Sequence, residues 1–166
     1  RVGVNKWKAC NTFTITHMIS WGFLGAGWIA KTALAPAVHA AHNATLQAVA
    51  SRDHDRAKAL GPHTVYESYE DLLADPTIDA VYINLANDQH CLWSIAAMAA
   101  GKHVLCEKPI ALDYAQAQLM ADAAKKYDRV LVEAVWSQWH PRFIRAVELI
   151  QAGEIGKLTS IDSSFC

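Results

Sequence analysis

Four cysteines in 166 residues, Cys10, Cys91, Cys106 and Cys166, show no CxxC and no paired spacing. That excludes a small disulfide scaffold and leaves free thiols in a reducing compartment as the expectation. Long apolar runs are also missing: Gly, His, Asn or a charged residue interrupts every stretch before it nears the ~20 residues of a spanning helix. A soluble, cytoplasmic protein with no membrane partner is the reading. Charge of one sign is absent as well, since 15 basic residues face 16 acidic ones for a net charge of -1, so no field of the size that attracts nucleic acid is present. Eight histidines give no metal-ligand spacing, and His103 and Cys106 point to opposite faces of a strand. No metal site is expected. The sequon Asn43-Ala44-Thr45 lacks a secretory signal before it and reads as chance.

What is present is an alternation of short apolar runs with helical patterns. Residues 1–18 carry Lys6 and Lys8 without an acid and read as an extension, poorly ordered, ahead of a natural start at Met18. Strands are expected at Ile19–Leu24, Thr45–Ala50, Thr64–Tyr66, Ala80–Ile83, His103–Cys106 and Val130–Val132, with a last one at Leu158–Ser163. Helices are expected from Trp28 to Ala41, bent or interrupted by Pro36, then around Arg56–Leu60, from Ser68, from Gln89 to Ala100 with Asn87 or Asp88 as cap, from Asp113 to Lys126, and from Arg142 to Gln151. Strand and helix alternating at this spacing implies βαβ crossovers, hence an α/β fold with a doubly wound parallel sheet. The domain reading is an extension over 1–18, one domain over 19–150, and the start of a further, truncated α/β domain over 151–166.

In such a sheet ligands gather beyond the carboxyl ends of the strands. The first of these is Gly25-Ala26-Gly27-Trp28-Ile29-Ala30, which reads as strand, tight turn and helix. Gly25 permits the turn, Gly27 lets the backbone approach a pyrophosphate, and the helix starting at Trp28 and Ile29 offers free N–H groups. Plain turns share this pattern. After the second strand stand Ser51 and Arg52 with Asp53 behind. Arg pairs with a 2′-phosphate where a carboxylate would accept from a ribose, which favours NADP, with NAD the alternative; as solvated turn charges these residues would need no ligand. Leu85, Asn87 and His90 fall in the fourth strand–helix loop, where His90 either reaches a cofactor or substrate or is a first-turn helix residue. Glu107-Lys108-Pro109 follows the fifth strand. An ammonium at the end of a buried strand needs a partner or a task. With limited hydration Lys108 could assist proton movement at a substrate hydroxyl, with Glu107 holding it; a simple Glu-Lys turn stopped by Pro109 is the other reading. Trp93, Trp136 and Trp139 read as core or interface.

Gly25-Ala26-Gly27, Ala48 to Asp53, Ser68 to Leu73, Ala99 to Pro109 and Glu133-Ala134-Val135-Trp136 together resemble the cofactor domain of the glucose-fructose oxidoreductase, inositol dehydrogenase and MocA family. The Ser-Arg-Asp and Glu-Ala-x-Trp segments are similar to its dihydrodiol dehydrogenase and NADP-dependent xylose dehydrogenase branch. The resemblance implies a Rossmann domain followed by an α/β substrate domain, and hydride transfer between a nicotinamide cofactor and a sugar, polyol or dihydrodiol. It implies Lys108 as catalytic lysine, with the peptide before Pro109 often cis. Gly25, Ala26, Gly27, Trp28, Ile29, Ser51, Arg52, Leu85, Asn87, His90, Glu107, Lys108 and Trp136 become cofactor contacts or their supports, and a homo-oligomer would form through the second domain. Gln138 stands where the family usually has Arg, and Ala86-Asn87 replaces a common proline. The truncated chain alone is expected to turn over substrate poorly. A dinucleotide-binding module without catalysis is the alternative.

Overall fold

Six of the apolar runs become parallel strands: β1 (Ile19–Leu24), β2 (Ala44–Ala50), β3 (Thr64–Tyr66), β4 (Ala80–Ile83), β5 (His103–Cys106) and β6 (Leu131–Glu133). They form one sheet in the order β3-β2-β1-β4-β5-β6. This computed structural model describes residues 18–164; the extension expected over residues 1–18 lies, apart from Met18, outside them. Neighbouring strands in a parallel sheet need crossovers, which helices α1 (Ala35–Ala40), α2 (His54–Lys58), α3 (Tyr69–Ala74), α4 (His90–Ala99) and α5 (Tyr114–Tyr127) supply. Their packing buries both faces of the sheet, so β4 is apolar and buried at every residue rather than alternating. Successive side chains still point to opposite faces. Leu24 and Ile83 join one core with Leu72, Met98 and Met120, while Phe23 and Tyr82 join the other with Leu46 and Val49. Phe23 and Tyr82 meet edge to face at 5.0 Å, a contact worth about 0.5–1.5 kcal/mol beyond the area it buries.

Pro36 does what its missing N–H requires. The helix starts with π-type bonding over Ala30–Leu34, with the Ala35 N–H reaching Ala30 O, and only then tightens into α1, where Pro36 sits in the first turn. Side chains cap α2, α3 and α5, where Asp53, Ser68 and Asp113 accept from the N–H three residues on. At α4 the expectation fails. A short 3₁₀ turn over Asn87–Gln89 precedes it, and neither Asn87 nor Asp88 caps it with a side chain.

The N-terminal side of the sheet holds a charged group that sequence patterning does not mark. Lys102 is 5% exposed, and its ammonium donates to the carbonyl oxygens of Asp75 (2.6 Å) and Ile78 (2.9 Å). Burial lowers its pKa, against the opposing pull of Asp75 and Asp79. The Asp75 carboxylate accepts from the Thr77 amide and hydroxyl and from the Tyr66 hydroxyl. Burial alone would raise this carboxyl, but those bonds and Lys102 outweigh it and hold it below 3.8. Because the folded pKa lies below the unfolded one, the stabilisation is full above pH 3.8 and is lost as pH falls through the lower folded value. Thermal unfolding followed between pH 6 and pH 3 is therefore expected to show wild type above Asp75→Asn at the upper end, with the gap closing toward the lower. A gap that stays constant would contradict the assignment.

A second unit begins at Ala134. It contains a 3₁₀ turn at Trp136–Trp139 and helix α6 (Pro141–Gln151), capped by His140 Nδ1 accepting from Arg142 N at 3.1 Å. The strand expected at Leu158–Ser163 is not formed. These residues are exposed and have no strand beside them among the described residues, and an isolated strand leaves its backbone groups unpaired within the protein. Among the described residues no helix is long and apolar enough to cross a membrane.

Candidate functional site

Backbone hydrogen bonds draw the carboxyl ends of the four central strands level with one another. Gly25 N donates to Ala50 O (2.8 Å), Asn84 N to Leu24 O (2.9 Å) and Glu107 N to Ile83 O (3.0 Å). The order of strands reverses between β1 and β4, and that is where a doubly wound sheet opens a crevice for ligands. Both glycines of the turn are required by what lies across it. Gly25 has φ +95°, and a Cβ there would strike the Asn84 carbonyl oxygen; a Cβ on Gly27 would lie 2.6 Å from Asn84 Nδ2. That Nδ2 is buried and has no hydrogen-bond partner, a state costing about 1–3 kcal/mol unless something accepts from it. Ala26 is 8% exposed and belongs to the core, whereas Trp28, at 71%, projects from the turn and Ile29 is at its rim. Two glycines without Cβ atoms, an orphan donor beside them, and the start of a helix, whose first N–H groups have no acceptor within the helix, suit an oxygen-rich, anionic group.

At the end of β2, Ser51 Oγ accepts from Asp53 N (3.2 Å) while Asp53 is occupied by capping α2. Arg52 is exposed, so its guanidinium is the available charge at this tip. Leu85 packs on the core and approaches Gly25, and Asn87 is exposed on its 3₁₀ turn. His90 is placed otherwise than a ligand-facing histidine. It is fully buried, with Nδ1 2.8 Å from Pro109 O and Nε2 3.1 Å from Leu85 O, and so ties the loop after β4 to the loop after β5. It is a support.

The Lys108 region departs from expectation in two respects. Its side chain is exposed rather than shielded, and Glu107 holds the backbone instead of the ammonium. Glu107 Oε1 accepts from the Tyr82 hydroxyl (2.7 Å) and Oε2 from Lys108 N (3.1 Å). Tyr82 is wholly buried, and burial first, then the Glu107 bond, raises its pKa. The Lys108–Pro109 peptide is cis, as the resemblance implies. Cys106 and Cys91 are free thiols; burial, with Glu107 and Glu133 nearby, pushes Cys106 up to about 11. Trp136 belongs to the second unit, where it meets the His140 ring edge to face at 6.0 Å.

Asn84 and Tyr82 stand in none of the motifs, and Glu133, which opens the Glu-Ala-x-Trp segment, takes no role from it; its Oε1 accepts from Ile110 N at 2.9 Å. Each is a polar group at or near the carboxyl end of a predicted strand, and that position is the signal that could have found them.

The model of the oxidoreductase family with an NAD-binding Rossmann fold matches residues 19–135. A D-xylose 1-dehydrogenase (NADP(+)) of Haloferax volcanii is 42% identical over 149 residues, covering 87% of this chain and 45% of that protein. The trans-1,2-dihydrobenzene-1,2-diol dehydrogenase of Mus musculus is 34% identical over 154 residues, covering 89% and 46%. Among solved structures, the 3-ketoreductase KijD10 of Actinomadura kijaniata, in complex with NADP and TDP-benzene, superposes with a TM-score of 0.76 at 33% identity, over 82% of this chain and 43% of that one. The chain thus spans under half the length of these relatives. A parallel sheet in this order, a glycine turn at its switch point and a match that spans all six strands lead to one assignment: the chain belongs to the oxidoreductase family with an NAD-binding Rossmann fold.

Proposed function

We propose that the chain is the cofactor-binding part of an NADP-dependent oxidoreductase that transfers a hydride between the nicotinamide and a secondary alcohol, or the corresponding carbonyl, of a sugar, polyol or dihydrodiol. The observation that carries this reading is the convergence, at the carboxyl end of the sheet, of the Gly25–Gly27 cradle, the exposed Arg52 and the exposed Lys108 on its braced loop. Gly25, Ala26 and Gly27 bring backbone close to a pyrophosphate, with the helix start at Trp28 and Ile29 behind them. Asn84 Nδ2 supplies a donor beside it. Arg52 pairs with a 2′-phosphate and Ser51 lines the same tip. Leu85 and Asn87 are further contacts; His90 and Glu107 act behind the surface. When bound, the nicotinamide supplies the hydride chemistry. Lys108 Nζ hydrogen-bonds the substrate oxygen, donating a proton to it in the reducing direction and receiving one in the oxidising direction.

The substrate class is supported by relatives named for D-xylose and for a dihydrodiol. Titrating NADPH and following its own fluorescence tests the reading. Saturable binding in the micromolar range or tighter is expected, and a folded sample showing none would refute it.

A further inference from the structure

Four residues, Glu107 to Ile110, carry Lys108 beyond β5, and every backbone N–H among them has a partner. Glu107 N is taken by Ile83 O, Lys108 N by its neighbour Glu107, and Pro109 has no N–H. That leaves Ile110 N, which goes to Glu133 Oε1 at 2.9 Å. Glu133 is the last residue of β6, paired in register with Cys106 at the end of β5, so the sheet itself fixes where its carboxylate stands. The carbonyl of Pro109 faces His90. The loop is therefore bracketed from β4 by Tyr82, from α4 by His90 and from β6 by Glu133, while the Lys108 ammonium has no partner among the described residues.

We propose that Glu133 is a positioning residue for Lys108: its carboxylate acts through Ile110 N to hold the loop in the conformation that presents the ammonium to the nicotinamide half of the cofactor. The inference rests on the NADP reading. An edge strand three residues long contributes little packing to the sheet, which suits its final side chain to the loop beyond the strand. A carboxylate accepting from a backbone N–H makes a charge-assisted bond, stronger than a neutral one. Gln at this position keeps an acceptor oxygen at the same reach, Ala keeps none, and Asp keeps the charge one methylene short.

The test compares wild type, Glu133→Gln and Glu133→Ala by titration with NADPH and, separately, with 2′,5′-ADP, which has only the adenosine half. Glu133→Ala is expected to weaken NADPH about tenfold, the cost of roughly one such bond, and to leave 2′,5′-ADP unchanged within about twofold. Glu133→Gln should stay within about threefold of wild type for both. On chains carrying ¹³C-dimethylated lysines, the Lys108 resonance, identified by its loss in Lys108→Arg, should shift on adding NADPH in wild type and Glu133→Gln and not in Glu133→Ala. Should Glu133→Ala fail to fold, Glu133→Asp carries the same expectation as Ala. Wild type that binds NADPH while Glu133→Ala matches it, or Glu133→Gln as impaired as Ala, overturns the positioning role alone. Wild type that binds neither ligand overturns the NADP reading and this inference with it.

Discussion

Gly25→Val is expected to raise the Kd for NADPH by about 100-fold or more, the largest effect of any single change in the first unit. Two costs coincide at this position. At φ +95° a β-branched residue is strained, by about 1–3 kcal/mol. Its Cβ would also meet the Asn84 carbonyl at a separation that real structures do not show. Asn84 cannot simply yield, since its own N–H is held by Leu24 O. The turn must open, and opening it moves the backbone that approaches the pyrophosphate. Gly101→Ala is the control. That glycine also has positive φ, +81°, but nothing lies within 4 Å of a Cβ there, so stability should drop while NADPH affinity holds. Isothermal titration of both variants decides it, and equal losses of affinity would show that strain, and not the cradle, is being measured.

Arg52→Ala is expected to cost NADPH about 10- to 100-fold in affinity and to leave NADH within about twofold, because a charged hydrogen bond to phosphate contributes about 1.5–3 kcal/mol. The selectivity follows from the turn after β2. Asp53 is a carboxylate held at the α2 N-terminus and Ser51 a neutral hydroxyl that accepts from the Asp53 amide, so neither supplies the positive charge of the guanidinium. Since Arg52 is exposed, wild-type binding of NADPH should also weaken as salt rises, more than in the variant. Unchanged NADPH affinity in Arg52→Ala would remove the physical basis for preferring NADP over NAD.

The strands were legible because each is a short apolar run bounded by turn residues, and burial on both faces leaves no room for another reading of Ala80–Ile83. The places of Gly25, Gly27 and Arg52 just beyond β1 and β2 were legible for a similar reason: the βα rhythm places the loops. Side-chain direction was not. Nothing in the local order Glu107-Lys108-Pro109 reveals that the carboxylate turns back to a tyrosine hydroxyl 25 residues earlier, or that His90 turns inward to two carbonyls. Asn84 and Glu133 gain their roles from residues of other strands, a relation that spacing along one strand does not encode. Leu158–Ser163 has a strand's composition, but a strand exists only by pairing, and composition does not say with what.

The position of β1 between β2 and β4 also governs when the cradle can come into being. Gly25 takes its bond from Ala50, early in the chain, whereas the group that closes over it is Asn84, and the β1–β4 seam joins partners such as Ser20 and Asp79, 59 residues apart. A nascent chain that has emerged only as far as Tyr66 can pair β1, β2 and β3, yet its glycine turn faces nothing. The cradle is completed only with β4, so cofactor present during translation can capture the chain only after that strand has paired with the free edge of β1.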